Sequence, residues 1–147
     1  MQTQEDIART ATVHWEGDVA HGKGQITVES GKVSAGYSFG TRFSNEPGTN
    51  PEELLGASHA ACFSMALSAA LTRGGHPPTA IDTTARVILQ RVKGGFEIPR
   101  IELSTQVSAP GIDQATFDRL AAEAAEGCPI SKALKGVEIA LNAKLNP

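Results

Sequence analysis

Cysteine is scarce in this chain: Cys62 and Cys128 are the only two in 147 residues. Secreted domains that rely on disulfides are denser in Cys, so the framework is not a disulfide one. A basic surplus is missing too. The 13 Lys and Arg are outnumbered by 16 Asp and Glu, for a net charge of -3. That argues against a nucleic-acid binder, which carries a basic patch or stripe. No phosphate loop is present, because Gly22-Lys23-Gly24 and Gly94-Gly95 are turn glycines outside the Walker and dinucleotide patterns. Ser58 is not in a Gly-x-Ser-x-Gly elbow, and no Cys-x-x-Cys or His-x-x-x-His ligand pair occurs. The polar stretch Met1 to Arg9 has no apolar h-region. The expectation is a protein without a secretory signal, residing in the cytoplasm.

What is there suits one folded domain over residues 1–147. The stretch Leu54 to Thr72 lacks Asp, Glu, Lys and Arg and approaches the ~20 residues that span a bilayer. Ser58, His59, Ser64 and Ser68 interrupt it and alanines dominate, so a buried helix of a soluble domain is expected, with no membrane partner.

Alternation of apolar and polar residues predicts strands over 10–19, 25–29 and 33–39, joined by glycine turns as an antiparallel meander. A loop at 44–50 leads to a helix over 51–73, with Asn50 as N-cap, Pro51 first and Glu53 third. This helix is apolar on every face, which predicts burial all round. Strands follow at 80–92 and 96–109, joined at Gly94-Gly95 as a hairpin. Asp113 caps a second helix, with Ile112 and Phe117 placed as a hydrophobic staple. Cys128-Pro129 opens a short third helix, and 137–145 closes the chain as a strand. The order β-β-β-α-β-β-α-α-β predicts a two-layer α+β domain. One sheet cannot cover a helix apolar all round, so an obligate homodimer is expected.

The two cysteines differ in setting. Cys62 lies inside the apolar helix, where a thiol is either inert packing or a nucleophile. Cys128 falls at a helix start, where free amides favour a thiolate. A disulfide between them requires Cα atoms about 4.4–6.8 Å apart, which spacing in sequence does not fix. A metal reading would use His59 and Cys62, three apart on one helix, with Cys128 and either His14 or Glu52.

Two long stretches carry a resemblance. Gly48-Thr-Asn-Pro-Glu-Glu-Leu-Leu-Gly-Ala-Ser-His-Ala-Ala-Cys-Phe-Ser-Met-Ala-Leu67 and Ala125-Glu-Gly-Cys-Pro-Ile-Ser-Lys-Ala-Leu134 resemble the paired signatures of the OsmC/Ohr family of thiol peroxidases. His14-Trp-Glu-Gly-Asp18, Gly40-Thr-Arg-Phe43 and Ile81-Asp-Thr-Thr-Ala85 resemble its osmotically inducible (OsmC) branch. The resemblance implies an α+β fold with antiparallel sheets wrapped around long buried helices, in an intertwined homodimer. It implies a cytoplasmic enzyme that reduces organic hydroperoxides, and hydrogen peroxide less well, without a cofactor or metal. By the family pattern Cys62 is peroxidatic and Cys128 resolving, Arg42 holds the thiolate, and Glu52 orients Arg42. Arg42 stands in for an arginine that the Ohr branch takes from a Gly-Gly-Arg stretch, where this chain has Gly17-Asp18-Val19. His14, His21 and Arg100 are the substitute partners. Glu52 and Cys62 are separated by roughly 15 Å along a helix, so a long arginine must bridge them. The reductant implied is an external dithiol such as a lipoylated protein. Phe63, Met65 and Ala66, with Phe39, Phe43 and Ile130, are expected to line an apolar substrate site. The rival reading is a non-enzymatic small-ligand-binding or metal-binding stress protein on the same fold.

Overall fold

A computed structural model describes residues 6–147. The first residues of the polar Met1–Arg9 stretch therefore lie outside the described residues. The chain forms two compact units, Met1–Pro51 and Glu52–Pro147.

The first unit is the expected meander. β1 (Ala11–Glu16), β2 (Lys23–Val28) and β3 (Ser34–Tyr37) pair antiparallel in the order β1-β2-β3. Trp15 and Tyr37 flank Gly24 in register on its two neighbouring strands. Their rings meet at a centroid distance of 5.4 Å. A Cβ on residue 24 would collide with both rings, so only glycine lets them close over the strand. The predicted strand over 33–39 is too long. It ends at Tyr37, and a helix absent from the prediction, α1 (Phe39–Phe43), follows. The cause is a capping box. The Ser38 hydroxyl accepts from the Thr41 amide at 3.3 Å, and the Thr41 hydroxyl accepts from the Ser38 amide at 2.9 Å. The Asn50 side-chain amide donates to the Thr41 carbonyl at 3.1 Å, tying the 44–50 loop back onto this helix.

The second unit holds α2 (Pro51–Arg73), β4 (Ala80–Val92), β5 (Gly95–Ser108), α3 (Gln114–Gly127), α4 (Pro129–Ala133) and β6 (Glu138–Leu145). The β4–β5 hairpin is antiparallel as expected, but β6 pairs parallel to β5. The expectation of antiparallel sheets is thus corrected: this sheet is mixed. The chain leaves β5 through two helices before it returns, which is the crossover that a parallel pair requires. The register Ile101↔Ile139, Leu103↔Leu141 and Val107↔Leu145 puts apolar residues of both strands on the same face.

Phe63, Leu67 and Leu71 of α2 join Ile101, Leu103 and Val107 of β5 and Phe117, Leu120 and Ala124 of α3 in the core. Asp113 caps α3, its carboxylate accepting from the Thr116 amide at 2.7 Å. Phe117 belongs to the core cluster and the partly buried Ile112 packs against it, as the staple predicts.

The helix predicted to be buried all round is not so within the single chain. A stripe of Gly56, His59, Phe63, Leu67, Ala70 and Leu71 is buried, while Ala57, Ala61 and Ala69 are exposed and Met65 is 77% exposed. One sheet face and one helix cover a stripe of a helix, not its circumference. α2 is long and apolar enough to cross a bilayer, yet its stripe is seated in a protein core. Two features fix its depth. Gly56 brings it close to β4, where a Cβ would stand 3.3 Å from the Val87 side chain. Farther along, the Ser64 hydroxyl donates to Thr83 at 2.7 Å, and Thr83 bonds the buried Thr105 at 2.9 Å. This chain of hydroxyls locks the rotation of α2 two residues after Cys62.

Candidate active site

Cys62 sits a third of a turn from the buried stripe of α2, so its thiol is half-buried. Cys128 lies between α3 and α4, where its own geometry ends one helix and begins the next, and it is fully buried. Pro129 at the first position of α4 enforces that break. The two thiols lie near enough to act on each other's ionisation and are not bridged.

Their environments are unequal. Burial pushes the Cys62 thiol up, and the hydrogen bond and charge of Cys128 push it further, against a partial offset from the Ile130 amide. Burial also works against a Cys128 thiolate. The Ser131 amide and hydroxyl, the Cys62 thiol and the Ile130 amide outweigh it, and the Cys128 thiol lies below its ordinary value. Cys128 makes no side-chain capping hydrogen bond as a thiol; these groups act on the charge that forms when it ionises.

Access is unequal as well. Cys62 opens onto a cavity of about 420 Å³ lined by Met65, Ala66, Ala69 and Ala124, with Arg73 and Glu123 at the rim. Arg73 lies 3.8 Å from Glu123. Met65 and Ala66 are lining residues as predicted. Phe63 is not: it is fully buried in the core. Ile130 packs against the core rather than lining this cavity. Phe39 and Phe43 belong to the first unit. There they line an apolar cavity of about 270 Å³ with Trp15, Val19, Tyr37 and Arg42. The Arg42 guanidinium lies over the Phe43 ring, 5.3 Å from its centroid.

The remaining predicted residues are placed as follows. Glu52 is half-buried in the first turn of α2. Of the substitutes, Arg100 pairs with Glu138 at 3.1 Å, His14 with Glu16 at 3.1 Å, and His21 with Asp18 at 3.1 Å. The metal set does not assemble: among the described residues, no three of His, Cys, Asp and Glu come together to hold an ion. His59 is committed elsewhere, with Nε2 2.7 Å from the Ser131 hydroxyl. Ser131, Arg73 and Glu123 were not singled out from sequence. For Ser131 the signal was available in its position three residues after a helix-capping cysteine, the spacing at which a cap meets its helix.

A buried thiol beside a second thiol that opens to an apolar cavity is the layout of a dithiol redox protein. The chain belongs to the OsmC-like protein family, which matches residues 43–142. It is 52% identical over 140 residues to the peroxiredoxin OsmC of Escherichia coli strain K12, covering 95% of this chain and 97% of that one. It is 30% identical over 124 residues to the organic hydroperoxide resistance protein OhrB of Bacillus subtilis, covering 82% and 89%. The fold matches a crystal structure of an organic hydroperoxide resistance protein from Elizabethkingia anophelis, with a TM-score of 0.77 over 98% of this chain and 100% of that one at 24% identity.

Proposed function

We propose that this protein reduces organic hydroperoxides by a two-cysteine cycle in which Cys62 attacks and Cys128 resolves. The observation that carries the reading is the asymmetry of the pair: Cys62 opens to an apolar cavity, whereas Cys128, near enough to act on its ionisation, is fully buried. The family membership and the peroxiredoxin and hydroperoxide-resistance relatives support the same chemistry.

The Cys62 thiolate attacks one peroxide oxygen, the O–O bond breaks, and the alkoxide takes a proton and leaves as the alcohol. Cys62 is left as a sulfenic acid. The Cys128 sulfur then bonds to the Cys62 sulfur and displaces the hydroxyl as water. An external dithiol, such as a lipoyl group on a protein, restores both thiols by exchange. The apolar cavity gives an alkyl hydroperoxide roughly 25 cal/mol for each Å² it buries, which hydrogen peroxide does not gain.

Cys62 needs a cation, because its local environment raises its pKa. Arg42 supplies that charge, stabilises the thiolate and donates to the peroxide, with Glu52 orienting the guanidinium. Chain folding over residues 1–147 as one functional domain and homodimerisation complete the reading. Met65 on α2, 77% exposed, and Val13 and Val19 in the first unit, 55% and 69% exposed, are apolar surfaces that a second copy would cover. The protein works in the cytoplasm, where thiols are kept reduced.

The test is steady-state peroxidase turnover with a dithiol reductant. Cumene hydroperoxide should be reduced with a higher kcat/KM than hydrogen peroxide. Equal efficiency on the two, or turnover that survives loss of Cys62, would contradict the reading.

A further inference from the structure

His59 is fully buried on the core stripe of α2, and its Nδ1 has no hydrogen-bond partner. Burial holds its pKa below the ordinary value, so the imidazole is neutral and carries one N–H. A buried N–H without an acceptor costs more than a bare lone pair. The proton therefore belongs on Nε2, which donates to the Ser131 oxygen 2.7 Å away. Ser131 then has no need to spend its own hydrogen on His59. It is the third residue of α4, and Cys128 is the N-cap of that helix. Cap side chains face the groups of the third residue across one turn. The Ser131 hydroxyl is accordingly among the groups that favour charge on Cys128.

We propose that His59 and Ser131 are positioning residues for Cys128, forming a chain from His59 Nε2–H to the Ser131 oxygen and from the Ser131 hydroxyl to the Cys128 sulfur. This rests on the peroxidase reading for its place in the cycle. In the resolving step the S–S bond forms and the S–O bond of the Cys62 sulfenic acid breaks. The Cys128 proton leaves with the hydroxyl as water, and His59 and Ser131 keep their own protons throughout. The hydrogen bond from Ser131 stabilises the charge on Cys128 as it attacks, and His59 fixes the serine rotamer that delivers it. A charged acceptor makes such a bond stronger than a neutral one.

The test follows the two half-reactions separately, in single turnover with one equivalent of cumene hydroperoxide. Ser131→Ala should slow conversion of sulfenic acid to disulfide by about threefold or more, because the Cys128 thiolate becomes harder to form, partly offset by its greater nucleophilicity. The change should be confined to that step, with the trappable sulfenic acid persisting longer. Ser131→Thr keeps the hydroxyl and His59→Gln keeps a donor toward it; both should resolve faster than Ser131→Ala. The second readout is thiolate absorbance of Cys128 in the Cys62→Ser background, which adding Ser131→Ala should move to higher pH. This titration needs no peroxide, so it reads the hydrogen-bond chain even if the peroxidase reading fails. An unshifted titration, or Ser131→Ala resolving at the wild-type rate, would overturn the proposal.

Discussion

Cys62 and Cys128 act on each other's ionisation, yet they stand in opposite electrostatic situations. Burial and the neighbouring sulfur raise the Cys62 pKa, whereas Ser131, Cys62 and Ile130 together lower that of Cys128 against its own burial. Burial around Cys62 thus opposes the thiolate that attack on a peroxide requires. Attack by Cys62 therefore demands a cation that favours its thiolate.

Arg42→Met tests the proposed cation. We expect kcat/KM for cumene hydroperoxide to fall by about 10²–10³, the usual cost of deleting one charged donor that acts on a transition state. In the Cys128→Ser background the thiolate absorbance of Cys62 should shift to higher pH. An unchanged titration would remove Arg42 from the role.

Stability should respond to His59 on the acid side. Its folded pKa is depressed by burial, below an ordinary value of 6.5. The unfolded chain then binds the proton more readily, so stability is lost as pH falls below that ordinary value. Thermal melts should show the midpoint dropping between pH 7 and pH 5.5, and His59→Gln should flatten that limb. An equal drop in the variant would assign the acid sensitivity to other groups.

The stripe of α2 should carry much of the stability of the second unit. Leu67 is fully buried among β5 and α3 residues. Leu67→Ala should cost about 2–5 kcal/mol in urea unfolding, from lost burial plus the cavity left behind. A cost well under 1 kcal/mol would mean that the stripe is not a packed core.

The opposite face of α2 tests the assembly. Met65→Glu places a charge on a surface that the dimer would bury. Wild type should sediment as a dimer at micromolar concentration, with the variant shifted toward monomer. A monomeric wild type would contradict the proposed homodimer.

Much of this was legible in the sequence because local chemistry decided it. Asp113 and the Ile112–Phe117 pair announced α3, and Pro129 announced the break that places Cys128 at a helix start. Other features were not legible. The short helix at Phe39–Phe43 depends on a reciprocal Ser38–Thr41 bond within an alternating apolar stretch that reads as strand. The parallel pairing of β6 is a tertiary choice, since Val137 to Leu145 alternates equally well for either direction. Composition made α2 look buried all round, because Ala and Met on its open face score as apolar whether or not anything covers them. Phe63 follows Cys62 in sequence but points about 100° away around the helix, into the core rather than the cavity. His59 and Ser131 meet across 72 residues of chain, and only the fold brings them together.

The central claim is the division of labour between the two sulfurs. Mass spectrometry after one equivalent of organic hydroperoxide tests it most directly. Wild type should carry a Cys62–Cys128 link, about two mass units lighter than the reduced chain. Cys128→Ser should trap Cys62 as sulfenic acid and then overoxidise it, and Cys62→Ser should consume no peroxide. Peroxide consumption at the wild-type rate in both single variants would contradict the account.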